Sequence, residues 1–393
     1  PDIMKNFFGR DVDIVIVNQY LPEPNSSGIT RHFVMRDALQ NAGYRVQLIG
    51  AKNHHKRVGN TEVGYVDRIP TLIYRDSNSL IRIINWFIFM IILPCYLIRY
   101  LNSRYILYSS LSLIGGLSAI LFAKLFRKKF IFEVRDIWPE SGLELGAFSK
   151  KSIVYRFLRF VEIRMLKNSD LIISSLPGFG EYLNALNTDY HKKFRFVGSI
   201  AEDSEVNKYK NKMHEKLKIG YFGGMGPANN LQILFEAAVE LPFSVELVVA
   251  GSGINYENFM KLYNAQDNIT FCGNLSINEI NNLYDSVDIC YYGAQNKQLY
   301  KYGVSPVKLV DITRRSIPLI VGADFEIEKH YPKLKHLKVG TKNKAELCRL
   351  LVSLYSDKSK LEELSHISAD LFQTHFSAQD NISGLLSELR DME

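Results

Sequence analysis

The sequence predicts an α/β protein with two doubly wound domains, and three observations carry that expectation. Short, almost unbroken apolar runs alternate with stretches of helical spacing, the pattern of parallel strands covered on both faces. The pattern stops at a polar, charged stretch, Ser199–Lys216, and then starts afresh. The 393 residues also exceed what one hydrophobic core ordinarily organises. The expected division is an N-terminal domain over residues 1–198, a linker over 199–216, a C-terminal domain over 217–372, and a closing helix over 373–393.

The elements follow in order. Asp13–Asn18 (DIVIVN) reads as a buried parallel strand, followed by the loop Pro22–Gly28. Ile29–Asn41 has helical spacing and stops at Gly43, a natural C-cap. Arg45–Ile49 is the second strand. Tyr105–Tyr108, the helix Leu111–Phe126 and the strand Lys129–Val134 repeat the unit, and Leu171–Ser174 is a further strand. Beyond the linker, Lys218–Phe222, Val245–Ala250, Ile269–Cys272, Asp288–Tyr292 and Leu319–Val321 read as strands. Leu231–Val239 and Ile277–Tyr284 read as helices between them, and Lys342–Ser356 and Ser359–Phe372 as helices near the end.

Composition excludes a disordered chain: 47% of residues are hydrophobic and 23% charged. Lys and Arg number 48 against 41 Asp and Glu, a net charge of +7. The excess clusters in the first half, at Lys124, Arg127, Lys128 and Lys129, then at Arg156, Arg159, Arg164 and Lys167. Such clusters suit a phosphorylated substrate or an acidic lipid. Nucleic acid is disfavoured, because no basic–aromatic motif accompanies them. The four cysteines (Cys95, Cys272, Cys290, Cys348) are scattered, which argues against a zinc site or disulfide framework and favours a reducing compartment. No secretory-signal pattern is visible, so a cytoplasmic location is expected. Ile83–Ile98 is uncharged and very apolar, flanked by Arg82 and Arg99 and interrupted by Pro94. It falls short of the roughly 20 residues that span a bilayer. It reads as a buried helix or as one dipping into a membrane face, with Trp86 at the interface.

The chemistry concentrates at loops that end strands. In Tyr302–Asp311, Ser305 suits a helix N-cap and Pro306 the first helical position. The helix N-terminus there offers free N–H groups to an anion. Lys308 adds a full charge in the first turn, and Asp311, three residues on, can accept from a ligand hydroxyl. A cation for phosphate beside a carboxylate for hydroxyls suits a nucleotide-sugar. Ser27 and Gly28 in the first loop permit close backbone approach to a diphosphate or sugar. Arg135, Asp136, Trp138 and Glu140 lie in EVRDIWPES, where carboxylates and an arginine suit sugar hydroxyls and the indole can stack on a sugar face. Gly223 and Gly224 follow the first strand of the second half and expose backbone amides. Neither that loop nor Gly251-Ser252-Gly253 completes a dinucleotide fingerprint, so NAD(P) is not expected.

Taken in order, EVRDIWPES, IGYFGGMGPANNLQILFEAA, VVAGSG, NITFCGNLSINEI and YKYGVSPVKLVD resemble the retaining glycosyltransferases of family 4. The closest likeness is to the bacterial surface-polysaccharide (O-antigen or capsule) enzymes with RDxWPES and GxSPxKL(D/E) segments. The resemblance runs over essentially the whole chain. It implies a GT-B fold of two Rossmann-like domains with the acceptor on the first, the nucleotide-sugar on the second and the active site in the cleft. It further implies that the last helix packs back on the first domain. On this likeness Lys308, Arg135, Asp136 and Glu140 serve catalysis. Gly223, Gly224, Leu275, Gly303, Val304, Ser305, Pro306, Asp311 and Lys301 serve the donor, and Ser27, Gly28, Arg31, Trp138 and Trp86 the acceptor. Asp311 matches the second carboxylate of the family's E-x7-E motif, the one that holds ribose hydroxyls, and Ile269–Leu275 would line the base.

The sequence departs from the family at three points. Gly303 stands where the motif has its first carboxylate. Met225, Asn229 and Asn230 stand near where relatives carry an Arg/Lys pair, leaving Lys308, then Lys301, then Lys297 to neutralise the diphosphate. Arg135 replaces a histidine. The implied reaction is metal-free, cofactor-free transfer, with retention, from a nucleoside-diphosphate sugar, UDP-linked and with N-acetylated amino or deoxy sugars among the implied donors. The implied acceptor is a polyprenyl-diphosphate-linked glycan at the inner face of the cytoplasmic membrane. A nucleotide-sugar epimerase of the same fold and a noncatalytic nucleotide-sugar binder are the alternatives.

Overall fold

A computed structural model describes residues 10–24, 31–54, 57–58, 63–74, 80–110, 112–144, 146–201, 215–305, 307–340 and 342–393. Two compact units divide the chain. The first takes Pro1–Ile200, Tyr302–Ser305 and Ala378–Glu393, and the second takes Ala201–Lys301 and Pro306–Ser377.

Among the described residues the first unit has a sheet of seven parallel strands: β1 (Ile14–Val17), β2 (Val46–Ala51), β3 (Val66–Ile69), β4 (Tyr105–Ser109), β5 (Lys129–Val134), β6 (Leu171–Ser174) and β7 (Phe194–Phe196). Their order is β3-β2-β1-β4-β5-β6-β7, with Ile14 of β1 set between Val46 and Tyr105. Strands β1, β2, β4 and β6 are buried along their whole length, which is why they read as unbroken apolar runs. The unit's helices are α1 (Arg31–Asn41), α2 (Leu80–Leu97), α3 (Leu113–Leu125), α4 (Glu140–Glu144), α5 (Ile153–Asn168), α6 (Phe179–Leu186) and α7 (Thr188–Lys192). The chain's final helix, Ala378–Asp391, belongs to this unit as well, where it packs on α1 and β7. Its Ile382, Leu385 and Leu389 join Ile14, Leu39 and Val46 in one buried cluster. Because right-handed crossovers to the left and right of β1 place helices on opposite faces, α2, α3 and α5 form one layer, with α3 packed between the other two.

In the second unit, β8 (Leu217–Phe222), β9 (Val245–Ala250), β10 (Ile269–Phe271), β11 (Ile289–Ala294), β12 (Leu319–Ala323) and β13 (Lys338–Val339) are parallel in the order β10-β9-β8-β11-β12-β13. Its helices are α8 (Gln232–Glu240), α9 (Tyr256–Tyr263), α10 (Ile277–Ser286), α11 (Val307–Arg314), α12 (Lys344–Ser356) and α13 (Ser359–His375). A capping box opens α10, in which Ser276 and Glu279 satisfy each other's backbone amides. In both units the strand order reverses at the first strand. This switch point is where open α/β sheets bind ligands beyond the strands' carboxyl ends.

Several boundaries differ from the sequence reading. Pro94 does not end the apolar segment, and α2 runs through it from Leu80 to Leu97. Among the described residues this is the helix long and apolar enough to cross a membrane. Strands β3, β7 and β13 were not expected: they are short, and Val66–Ile69 (VDRI) alternates too briefly to register as a pattern. Of the expected linker, Ala201 pairs with Ser377 and residues 202–214 lie outside the described residues. The segment Tyr302–Ser305, placed by sequence in the second domain, packs within the first unit.

Candidate active site

The carboxyl edge of the second unit is built on backbone-to-backbone contact. The Gly223 amide donates to the Ala250 carbonyl (2.8 Å), Met225 to Ser252 (2.8 Å), and Gly251 to Gly273 (2.7 Å). These bonds zip together the loops that follow β8, β9 and β10. Gly251 and Gly253 have φ of +129° and +156°, and a Cβ on either would stand 2.1 Å from the Gly223 carbonyl oxygen or 2.5 Å from that of Met225. The glycines of the second loop therefore serve loop packing.

Lys308 lies over this edge. It comes from the first turn of α11, and its stem passes so close to Gly223 that a Cβ there would meet Lys308 Cε at 2.3 Å. Its ammonium donates to the Tyr221 hydroxyl and to Asn229 Oδ1 (3.3 Å), stands 3.5 Å from the Gly224 carbonyl, and sits 4.3 Å from the centre of the Tyr221 ring. Among the described residues no carboxylate pairs with it. Burial without a counter-charge brings its pKa down from 10.5 to about 8. The Gly224 and Gly226 amides also have no partner among the described residues. One poorly hydrated cation beside free amides, at a switch point, is an arrangement for an anion.

Asp311, one turn along α11, lies 3.8 Å from both Arg314 and Arg315 and makes no short hydrogen bond through its carboxylate. Burial outweighs those cations and raises its pKa. Its oxygens remain open to hydroxyl donors. Lys301 and Lys297 do not share the Lys308 site. They line a separate cavity of about 260 Å³ with Asn296, Phe325, Glu326 and Lys329. Leu275 is part-buried four residues beyond β10.

The segment before α11 is held by contacts that the sequence did not show. The Gly178 amide donates to the Tyr302 carbonyl (2.8 Å), and the Tyr302 ring meets Tyr182 edge-on at 5.4 Å. Gly303 has φ +91°, and a side chain there would strike Pro177 at 2.6 Å. Glycine is the residue that fits this backbone and this contact. Val304 is buried, and the Ser305 hydroxyl pairs with that of Ser199 at 2.6 Å, with α11 opening two residues later at Val307. Pro306, Ser27 and Gly28 lie outside the described residues.

In the first unit the edge of β5 carries a network that the sequence reading did not assemble. Glu133, fully buried, accepts from Arg31 Nε (2.7 Å) and from His32 Nε2 (2.6 Å). The proton on His32 can be placed. The Tyr20 amide can only donate, so the Asn18 atom it reaches at 3.0 Å is Oδ1, and Asn18 Nδ2 therefore donates to His32 Nδ1 (3.1 Å). His32 is thus neutral with its proton on Nε2. Burial lowers its pKa against the opposing pull of Glu133. Burial acts to raise the Glu133 pKa, but Arg31 and His32 overcome it and hold the carboxyl well below its usual range.

Arg31, expected at the acceptor, is 4% exposed and committed, its other nitrogens donating to the carbonyls of Val197 (2.8 Å) and Gly198. It is a brace between β5 and the end of β7. The residues after β5 divide similarly. Asp136 accepts from the Ser141 hydroxyl, and Glu140 from the Tyr155 hydroxyl (2.7 Å), so both are engaged locally. Trp138 packs on Phe148 at 6.1 Å. The Arg135 guanidinium makes no hydrogen bond among the described residues, and burial lowers its pKa against the pull of Glu133. Trp86 does not project outward: its indole N–H donates to the Tyr20 hydroxyl (2.6 Å) with Arg82 over its ring. His32 had one sequence signal, an Arg-His pair at the start of the helix after the first glycine loop.

Two doubly wound sheets, each reversing at its first strand, define the class of two-unit Rossmann-like α/β proteins, and solved structures narrow it. No protein-family model and no curated protein matches the chain. Sucrose-phosphate synthase from Thermosynechococcus elongatus superposes with a TM-score of 0.72 at 14% identity, over 97% of this chain and 99% of that one. HepE of Anabaena, solved in complex with UDP-glucose, gives 0.67 at 10% identity, over 97% and 100%. A glycosyltransferase from Rickettsia africae gives 0.63 at 13%, over 97% and 99%. The chain has the GT-B fold.

Proposed function

We propose that the protein is a glycosyltransferase that moves a sugar from a nucleoside-diphosphate donor, UDP-linked, to a glycan acceptor. The carrying observation is Lys308, a half-buried ammonium with no carboxylate partner among the described residues, set beside Gly223 and the Gly224 amide at the switch point of the second unit. The departing diphosphate gains charge in the transition state, and a cation held in place and partly shielded from water stabilises that charge with little reorganisation. Asp311 takes donor hydroxyls. Fold-level likeness to a protein solved with UDP-glucose supports the nucleotide. The family resemblance of the motifs supports retention, a lipid-linked acceptor, surface-polysaccharide synthesis and work at the inner face of the cytoplasmic membrane.

The test is a thermal-shift panel of UDP-, GDP- and dTDP-sugars, followed by nucleotide release with and without acceptor. UDP-sugars are expected to raise the melting temperature, and wild-type turnover to fall in Lys308→Ala. Wild-type kinetics in that variant would remove the leaving-group role. A new sugar formed from donor alone would make the protein an epimerase, and binding without any turnover a carrier.

A further inference from the structure

We propose that the helical layer α2–α3–α5 of the first unit docks on an anionic lipid surface, lying along it rather than crossing it. The sequence marked only Ile83–Ile98 and Trp86 for such a role. The structure ties Trp86 inward and shows a wider face. On α2, Leu80, Ile84, Phe87 and Ile91 are exposed on one stripe, opposite the buried Asn85, Phe89, Leu93 and Leu97. The buried stripe fixes α2 to its unit: Asn85 exchanges two 2.8 Å hydrogen bonds with the backbone of Leu72. A helix held this way presents one side to lipid and cannot be surrounded by it.

The next two helices continue the face. Leu121 and Leu125 of α3 are 69% and 71% exposed, and Ile153 of α5 is 83% exposed. On α5, Ile153, Phe157 and Phe160 share a stripe with Arg156, Arg164 and Lys167, at the i, i+3, i+4, i+7 spacing of a single helix side. Arg164 lies over the Phe160 ring at 5.0 Å. Soluble surfaces seldom carry contiguous apolar patches above roughly a few hundred Å² without a partner.

Charge selects the partner. Across α2, α3 and α5 the acidic residue is Glu162, which is buried and bonded to Arg159 and Tyr182. The same helices carry Arg82, Lys124, Arg156, Arg159, Arg164 and Lys167. An apolar face rimmed by cations fits acyl chains beneath anionic headgroups. A second copy of the chain would meet this face with the same positive charge and be repelled.

The inference does not depend on glycosyl transfer, because its test needs no sugar donor. The full chain is sedimented with phosphatidylcholine vesicles and with vesicles containing about one-third phosphatidylglycerol, a composition that gives a negative surface potential. Binding to the anionic vesicles is expected, weakened by salt. The double change Ile153→Ser/Phe157→Ser and the charge reversal Arg156→Glu/Arg164→Glu should each lower the partition coefficient more than about tenfold. Phe243→Ser, an exposed apolar residue of the second unit, should change nothing. All these side chains are exposed, so the variants should keep the wild-type melting temperature and UDP affinity. Absence of wild-type binding to anionic vesicles, or loss of binding in Phe243→Ser equal to that in the face variants, would overturn the proposal. So would a scattering mass of two chains that Leu121→Ser reduces to one, since the face would then be a dimer interface.

Discussion

Replacing Lys308 by methionine should make the ligand-free protein more stable while removing its affinity for the donor nucleotide. The drop in the Lys308 pKa from 10.5 to about 8 measures what it costs to keep the ammonium in a poorly hydrated site. At about 1.4 kcal/mol for each tenfold change in proton affinity, that is about 3 kcal/mol at pH 7 as an upper bound. Methionine keeps the stem over Gly223 but loses hydrogen bonds to Tyr221 and Asn229, about 1 kcal/mol apiece. The Tyr221 hydroxyl is not orphaned, because it donates to the Gly224 carbonyl. The net gain is about 1 kcal/mol, roughly 3 °C in melting temperature for a unit of this size.

The pH dependence has a definite sign. Between about pH 8 and 10.5 the unfolded chain still holds the proton that the folded chain has released, so this group's contribution to stability rises with pH across that window. The rise should vanish in Lys308→Met. In the proposed role the ammonium holds the UDP diphosphate, so wild-type affinity should fall above about pH 8 by up to about tenfold per pH unit. Urea unfolding at pH 7 and 9 and calorimetric titration with UDP read both effects. A less stable variant that binds UDP as the wild type does would refute the assignment.

Two further substitutions probe the supports of these sites. Glu133→Gln leaves Arg31 buried without its counter-charge and should cost about 3–5 kcal/mol in urea unfolding. The depressed Glu133 pKa gives the wild type stability above the usual carboxylate range that is lost as pH falls, so the variant should show a shallower acid transition, and an unchanged one would contradict the pairing. Gly223→Ala forces a side chain into a φ of +142° and against Lys308 Cε, so it should lower turnover about as much as Lys308→Ala. Wild-type kcat/KM in that variant would mean the lysine's position over the loop is immaterial.

What the sequence made legible follows from the range of the forces involved. The buried strands announced themselves because parallel strands covered on both faces cannot alternate, as IVIV in β1 and LIIS in β6 show. Lys308 stood out on a local signal, the helix start at Ser305-Pro306, whereas its hydrogen bond to Tyr221 spans 87 residues and left no mark in the local pattern. The bonds of Arg31 were not legible because they run to Glu133, 102 residues away, and to carbonyls farther still. The need for glycine at 303 was not legible either, since it comes from Pro177, remote in sequence. Asp136 and Glu140 were legible as carboxylates at a strand end, but not the hydroxyls of Ser141 and Tyr155 that each also accepts.

The position of the final helix constrains how the protein is made. Ala378, Ile382, Leu385 and Leu389 complete the apolar cluster that begins at Ile14. When Ile200 has emerged from a ribosome, that cluster still lacks one wall, and the whole second unit must be synthesised before the wall arrives. A fragment ending at Ile200 would therefore expose apolar surface that the full chain covers, so the first unit is best studied with its distant last helix attached.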